Sequence, residues 1–338
     1  RFTYADAGVD LDAAEDLTRR LASLAASTRT GAVSGHFGSF GGRFRLSGDP
    51  ELVASADGVG TKVLVARIVG RHDTVGQDLV NHCVDDILTE GAEPLFFLDY
   101  FACGTLDADV AFAVVDGVAQ ACRENGCALL GGETAEMPGL YSPGDYDLAG
   151  FIVGRVAFDL PGREGVSNGD RLIALPSTGL HTNGYSLARG ILFDRLGLDV
   201  SDDYPGTGST VGEVLLRVHR SYLPHLREAC GAGWVSALAH ITGGGIPGNL
   251  SRVLPAGTEA VVDLRTWDPG PVFGFLAAQS GMATDEVFRA LNMGIGMIAV
   301  ARPEHADDLI ASVQSTGLEP FMCGEIRAGD GDVRLEAG

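Results

Sequence analysis

Residues 95–101, Leu-Phe-Phe-Leu-Asp-Tyr-Phe, form an almost unbroken apolar run. Such a run is most easily buried as the central strand of a sheet covered on both faces. Further strand-like runs follow at Cys127–Leu130, Asp147–Val156 and Arg171–Leu175. Amphipathic stretches lie between them. In residues 11–26, Leu11, Ala14, Leu17, Leu21 and Leu24 share one helical face, with Asp10 or Asp12 available as N-cap. Residues 107–124 read as a second helix that stops at Gly126. This alternation, together with 48 glycines, predicts an α/β (α+β) protein.

A chain of 338 residues exceeds one ordinary core, so two domains are expected. Turn formers and charge replace periodicity at Asp159–Gly165, which divides the chain into units 1–160 and 166–338. The second unit reads as helices near 185–196, 210–229, 284–291 and 304–316. Its strands lie near 235–241, 259–264, 294–301 and 321–327.

Charge excludes one class of partner. With 45 acidic against 24 basic residues the net charge is −21, and no Lys/Arg cluster offsets it for a nucleic-acid backbone. Phosphates must then be held by backbone amides, a few cations and bound metal. No run approaches the ~18 apolar residues of a membrane helix. The N-terminus lacks a signal-peptide pattern, and because it does not begin with Met a short leader is expected to be trimmed or left out. Six cysteines without Cys-x-x-Cys pairs read as reduced thiols of a cytoplasmic protein.

Lys62 is the only lysine among the 24 basic residues. It closes Asp57-Gly58-Val59-Gly60-Thr61-Lys62, where glycines let the backbone approach a ligand and expose its N–H groups. A compact ammonium there suits phosphate; the alternative is a surface turn with one lysine left by codon bias.

In the segment Gly76–Gly91, Val80, Cys83, Val84, Ile87 and Leu88 share one side of a helix. Asp78, Asn81, His82, Asp85 and Asp86 occupy the other. Clustered carboxylates repel one another and suit a divalent cation, while the alternative is a solvated polar face. Asp57 and Glu133 each follow an expected strand beside glycines, the position where α/β proteins gather ligands. Asp57, Asp86 and Glu133 are thus expected to converge on one metal. Two more glycine loops, His181-Thr182-Asn183-Gly184 and His240-Ile241-Thr242-Gly243-Gly244-Gly245, sit between strands and helices. Each suits an anion, or else caps a helix or makes a hinge.

Taken together, these strings, with Tyr4–Asp10, Gly91–Tyr100 and Gly131-Gly132-Glu133-Thr134-Ala135-Glu136-Met137-Pro138-Gly139, make the chain resemble the phosphoribosylformylglycinamidine cyclo-ligases, the aminoimidazole ribonucleotide synthetases of purine biosynthesis. The resemblance covers essentially the whole length. It implies two α/β domains and a homodimer whose N-terminal sheets join into a barrel. It implies ATP and Mg²⁺ as cofactors and formylglycinamidine ribonucleotide as substrate, with no nucleic-acid or membrane partner. Metal would be held by Asp57, Asp86 and Glu133. ATP would be held by Asp57, Gly58, Gly60, Thr61, Lys62, Asp78, Asp85 and Thr134. Substrate would meet Ser39, Gly41, Gly42, Thr182, Asn183, His240, Thr242, Gly243, Gly244 and Gly245. Lys62 would offset developing charge and His181 would shuttle a proton. The implied reaction phosphorylates the formyl amide oxygen and closes the ring, releasing ADP and phosphate. Asp85 departs from the family's usual Asn. His36–Gly42 is expected to close over the substrate. A rival reading is a non-catalytic nucleotide-binding regulator on the same scaffold.

Overall fold

The computed structural model describes Ser27 and residues 30–34, 39–46 and 51–337. The helix expected over 11–26 lies outside them, as do residues 36–38 of the expected closing loop.

Two six-stranded sheets organise the described residues. The first contains β1 (Val33–Ser34), β2 (Gly42–Phe44), β3 (Leu52–Gly58), β4 (Ala92–Cys103), β5 (Ala128–Glu136) and β6 (Tyr146–Val156). Their order is β1-β2-β3-β6-β4-β5, antiparallel except for the parallel pair β4–β5. Among the described residues this unit carries the helices α1 (Lys62–Val69), α2 (Asp73–Thr89) and α3 (Ala108–Glu124).

The second sheet contains β7 (Arg171–Pro176), β8 (Ala237–His240), β9 (Thr258–Asp263), β10 (Ile295–Ala301), β11 (Phe321–Ala328) and β12 (Val333–Glu336). Their order is β12-β9-β11-β7-β10-β8. The helices are α4 (Tyr185–Arg189), α5 (Val211–Leu215), α6 (Leu223–Gly231), α7 (Gly245–Leu250), α8 (Gly270–Ser280), α9 (Thr284–Ala290) and α10 (Ala306–Ser315). Strand β10 is buried at every residue, flanked by β7 and β8. All six cysteines are buried and unpaired.

Helix α2 fixes the architecture. It packs against β3, β4 and β6 on one side and meets β8 of the second unit on the other. Every residue from Thr74 to Thr89 is buried, so its polar side is not the solvated face that one reading of the sequence allowed. Close approach of α3 requires glycine. A Cβ on Gly76 would sit 2.0 Å from the Val114 carbonyl oxygen, and one on Gly117 would sit 1.9 Å from that of Asp73.

Three expectations need correction. The run 95–101 lies in a central strand, but β4 is not covered on both faces: Leu95 and Tyr100 are 39% and 38% exposed, beside Phe151 at 42%. Its apolar residues therefore also build an open sheet face. The expected helix 210–229 is two helices, α5 and α6, separated by irregular residues 216–222. The string Gly131–Glu136 is not a loop after β5 but its continuation, paired with β4 through Cys103↔Glu136. Helix α8 and strand β12 are elements that periodicity does not reveal.

Candidate functional site

A cavity of about 560 Å³ opens where the two units meet. The first unit supplies Ser39, Phe40, Ser55, Asp57, Gly58, Gly60, His82, Asp86 and Asp147. The second supplies Thr182, Asn183, Thr242, Gly243 and Arg252. Asp57 stands near the end of β3, where the chain turns through Gly60 at φ +58°, a conformation that glycine adopts without strain.

The polar side of α2 is docked onto the second unit. Asp78 Oδ1 accepts from the His219 backbone N–H at 2.7 Å, and Asp85 Oδ1 accepts from that of Tyr222 at 2.7 Å. Asn81 Nδ2 donates to the His219 carbonyl at 2.7 Å. The interruption at 216–222 thus leaves backbone groups unpaired within a helix, and α2 side chains satisfy them.

His82 is the centre of the cavity wall. Its Nε2 is 2.7 Å from Asp57 Oδ2 and 3.8 Å from Asp86 Oδ2, and its Nδ1 is 2.7 Å from Thr182 Oγ1. Burial opposes charge on the ring, but Asp57 and Asp86 outweigh it and raise the pKa to about 9. His82 is therefore an imidazolium at neutral pH, donating to Asp57 and to Thr182. Asp57 is held below the usual carboxylate range: burial raises it, and the charge and hydrogen bond of His82 more than offset that. Asp86 Oδ1 is 2.8 Å from His240 Nδ1, and Asp86 Oδ2 is 3.1 Å from Ser55 Oγ. Across the cavity the Arg252 guanidinium lies 4.6 Å over the Phe40 ring.

Of the residues expected at a site, Asp57, Gly58, Gly60, Asp86, Ser39, Thr182, Asn183, Thr242 and Gly243 line this one cavity. His240 backs the wall through Asp86. The others lie elsewhere.

Lys62 does not face the cavity. It opens α1 with its side chain wholly buried, and Nζ meets Asp78 Oδ2 at 2.7 Å, the Arg217 carbonyl at 2.7 Å and the His181 carbonyl at 3.1 Å. Three acceptors match the three donors of an ammonium, which explains a compact cation here without phosphate. Asp78 is thereby consumed in a buried ion pair, and Asp85 is held by Tyr222 and faces His219, so neither reaches a nucleotide in the cavity. His181 is also buried. It holds φ +62°, stacks on His219 with ring centroids 4.0 Å apart, and accepts from Thr178 N–H through Nε2 at 3.2 Å. Burial pushes its pKa well below the ordinary value, so it is neutral and not placed to shuttle protons in the cavity.

Glu133 does not join Asp57 and Asp86. Asp57 pairs with Gly150 on β6, Gly150 with Asp99 on β4, and Asp99 with Gly132 on β5. Glu133 and Thr134 thus stand three strands away, roughly 14 Å. Thr61 Oγ1 lies 3.3 Å from Ser186 Oγ, Gly41 packs toward Val53, Gly42 enters β2, and Gly244–Gly245 start α7.

No motif in the sequence gives His82 or His219 a role, and none points to Ser55, Asp147 or Arg252. His82 carried a signal, since it sits one turn before Asp86 on the same face. Arg252 carried none: it enters from the 3₁₀ turn after α7.

Family models described as the N-terminal and C-terminal domains of AIR synthase related proteins match residues 38–156 and 167–336. A phosphoribosylformylglycinamidine cyclo-ligase from Anaeromyxobacter sp. is 46% identical, covering 99% of this chain and 98% of its own. One from Myxococcus xanthus is 48% identical, covering 98% and 97%. A solved structure titled AaThiL complexed with AMPPCP and TMP superposes with a TM-score of 0.68 at 15% identity, covering 96% of this chain and 95% of its own. That last likeness shows the shared fold.

Proposed function

This chain belongs to the AIR synthase related family, and we propose that it is a phosphoribosylformylglycinamidine cyclo-ligase acting in the interdomain cavity. It uses ATP to close the imidazole ring of a purine precursor and releases ADP and phosphate. The observation that carries this assignment to the cavity is its wall: one imidazolium held between two carboxylates, with a guanidinium and glycine loops opposite.

The chemistry requires activation of an amide oxygen, which is a poor leaving group. The γ-phosphoryl of ATP passes to the formyl oxygen, the neighbouring nitrogen attacks the carbon, and the C–O bond breaks with the oxygen leaving on phosphate. Positioning and charge neutralisation supply most of the acceleration in such transfers. Arg252 and the backbone N–H groups at Gly60 and Gly243 hold phosphate oxygens. Thr182, Asn183 and Thr242 orient the remaining polar groups. His82 keeps an N–H directed at Asp57 and holds that carboxylate in place.

Mg²⁺ fits the donor set in part. The carboxylates Asp57, Asp86 and Asp147 line the cavity, and the proton retained by His82 marks a place where positive charge is favoured. Asp57 and Asp86 would hold the ion, which supplies charge neutralisation at the phosphates when bound. Glu133 has no part in this arrangement.

A homodimer in the cytoplasm accompanies this reading. Its support is the open apolar face of the first sheet, with Leu95, Tyr100 and Phe151 exposed. Among the described residues no helix is long and apolar enough to cross a membrane.

Steady-state ADP release tests the assignment. It should require formylglycinamidine ribonucleotide and yield aminoimidazole ribonucleotide in equal amount. ADP release indifferent to that substrate, or nucleotide binding without turnover, would replace the enzyme with a regulator.

A further inference from the structure

Behind the cavity wall three donor atoms of fully buried side chains face one another. Asp85 spends Oδ1 on the Tyr222 N–H, and its Oδ2 has no hydrogen bond although it lies 3.3 Å from His219 Nε2. His219 Nε2 also faces His240 Nε2 at 3.1 Å. His240 directs Nδ1 to Asp86 at 2.8 Å, which makes its Nε2 a lone-pair atom. A single proton at this junction, on His219 Nε2 or on Asp85 Oδ2, cannot satisfy all three atoms with good geometry.

A metal ion resolves all three. The ligand atoms lie within 4.8 Å of one another. Bonds of 2.0–2.2 Å in a tetrahedral site place adjacent donors about 3.3–3.6 Å apart; the separations at His219 Nε2, 3.1 and 3.3 Å, lie just below and at the start of that range. Each ligand has an outer partner of the kind that orients metal ligands: Asp86 on His240, Tyr222 N–H on Asp85, and Thr182 Oγ1 at 3.4 Å from His219 Nδ1. The neighbouring trio His82, Asp86 and His240 lacks this property, because its atoms are already engaged with Asp57, Ser55 and each other.

We propose that Asp85, His219 and His240 bind a borderline divalent ion of the Zn²⁺ class, separate from the carboxylates Asp57 and Asp86 that face the cavity. Two imidazole nitrogens and one carboxylate oxygen suit Zn²⁺ and not Mg²⁺. On binding, His219 carries its proton on Nδ1, toward Thr182. The ion ties the first unit, through Asp85 on α2, to the second, through the 216–222 segment and β8. Asp85 completes the set because it is an acid: an Asn in its place offers only a neutral amide oxygen.

The test is metal content and coordination, read on the full chain. Protein produced with Zn²⁺ in the medium and dialysed against metal-free buffer should retain about one Zn²⁺ per chain. Replacing it with Co²⁺ should give the visible absorption of a low-symmetry four-coordinate site. Asp85→Asn and His219→Gln, each checked for folding by circular dichroism, should lower Zn²⁺ affinity at least about tenfold. A chelator should lower the thermal midpoint of the wild-type protein and leave that of Asp85→Asn unchanged. Wild-type protein that neither retains Zn²⁺ nor gives the Co²⁺ spectrum overturns the proposal, as does equal metal content in wild type and folded variants. If neither variant folds, the wild-type metal content and Co²⁺ spectrum decide the matter alone.

Discussion

Lys62 Nζ lies 2.7 Å from Asp78 Oδ2, and neither side chain is reached by solvent. Burial pulls the lysine pKa down and pushes the aspartate up, and each charge resists that shift in the other. Breaking such a pair leaves an uncompensated buried charge, which typically costs about 3–5 kcal/mol. Lys62→Met should therefore lower stability by that order. Lys62→Arg should also destabilise, since a planar guanidinium does not fit three acceptors arranged around an ammonium. Chemical denaturation measures both. A Lys62→Arg protein of normal stability but impaired turnover would return the lysine to a direct role with ATP.

His82 makes stability depend on pH. An unfolded histidine titrates near 6.5, whereas the folded residue titrates at about 9. A raised folded pKa stabilises fully below the unfolded value, and that contribution disappears as pH rises through the folded one. The thermal midpoint should thus fall between about pH 6.5 and 9, and His82→Gln should flatten that fall. Calorimetry across the window, wild type against variant, checks it; parallel curves would remove His82 as the titrating group.

The α2–α3 crossing tolerates no side chain at Gly117, where a Cβ would press 1.9 Å from the Asp73 carbonyl oxygen. Overpacking against backbone costs about 1–3 kcal/mol or more. Gly117→Ala should lower the unfolding midpoint accordingly. Gly126→Ala is a control of another kind: it has open space but a φ of +70°, so its cost reflects backbone strain alone.

How far the sequence reaches can be seen in α2 and its partners. Its two faces are legible in the residue pattern, because a helix repeats every 3.6 residues whatever it packs against. What the polar face meets is not legible. Tyr222 and His219 lie more than a hundred residues away, on a segment whose composition reads as helix and whose backbone is instead captured by Asp78 and Asp85. Glu133 illustrates the reverse difficulty. Glycines in Gly131-Gly132-Glu133 suggest a loop, but pairing with β4 overrides that local preference and carries the residue to the sheet edge. The cavity residues Asp57, Asp86, Thr182 and Thr242 were recognisable because each sits in a motif. Arg252 was not, since one arginine in a turn looks like any other.

Arg252 nonetheless lines the cavity, stacked on Phe40, where burial lowers its pKa. Arg252→Met keeps the stem and removes the charge. Loss of a charge-assisted hydrogen bond to phosphate corresponds to about 1.5–3 kcal/mol, roughly 10- to 100-fold. KM for ATP or for the ribonucleotide should rise by that factor, with a thermal midpoint close to wild type. An unchanged KM for both would place the phosphates elsewhere.

Transfer of a phosphoryl group to the formyl oxygen is the central chemical claim, and isotope tracing tests it most directly. Formylglycinamidine ribonucleotide labelled with ¹⁸O in the formyl group is turned over with ATP in unlabelled water, and the released phosphate is examined by mass spectrometry. One labelled oxygen per turnover should appear in phosphate. Label lost to water, with unlabelled phosphate, would show that ATP is hydrolysed without activating the amide, and would contradict the claim.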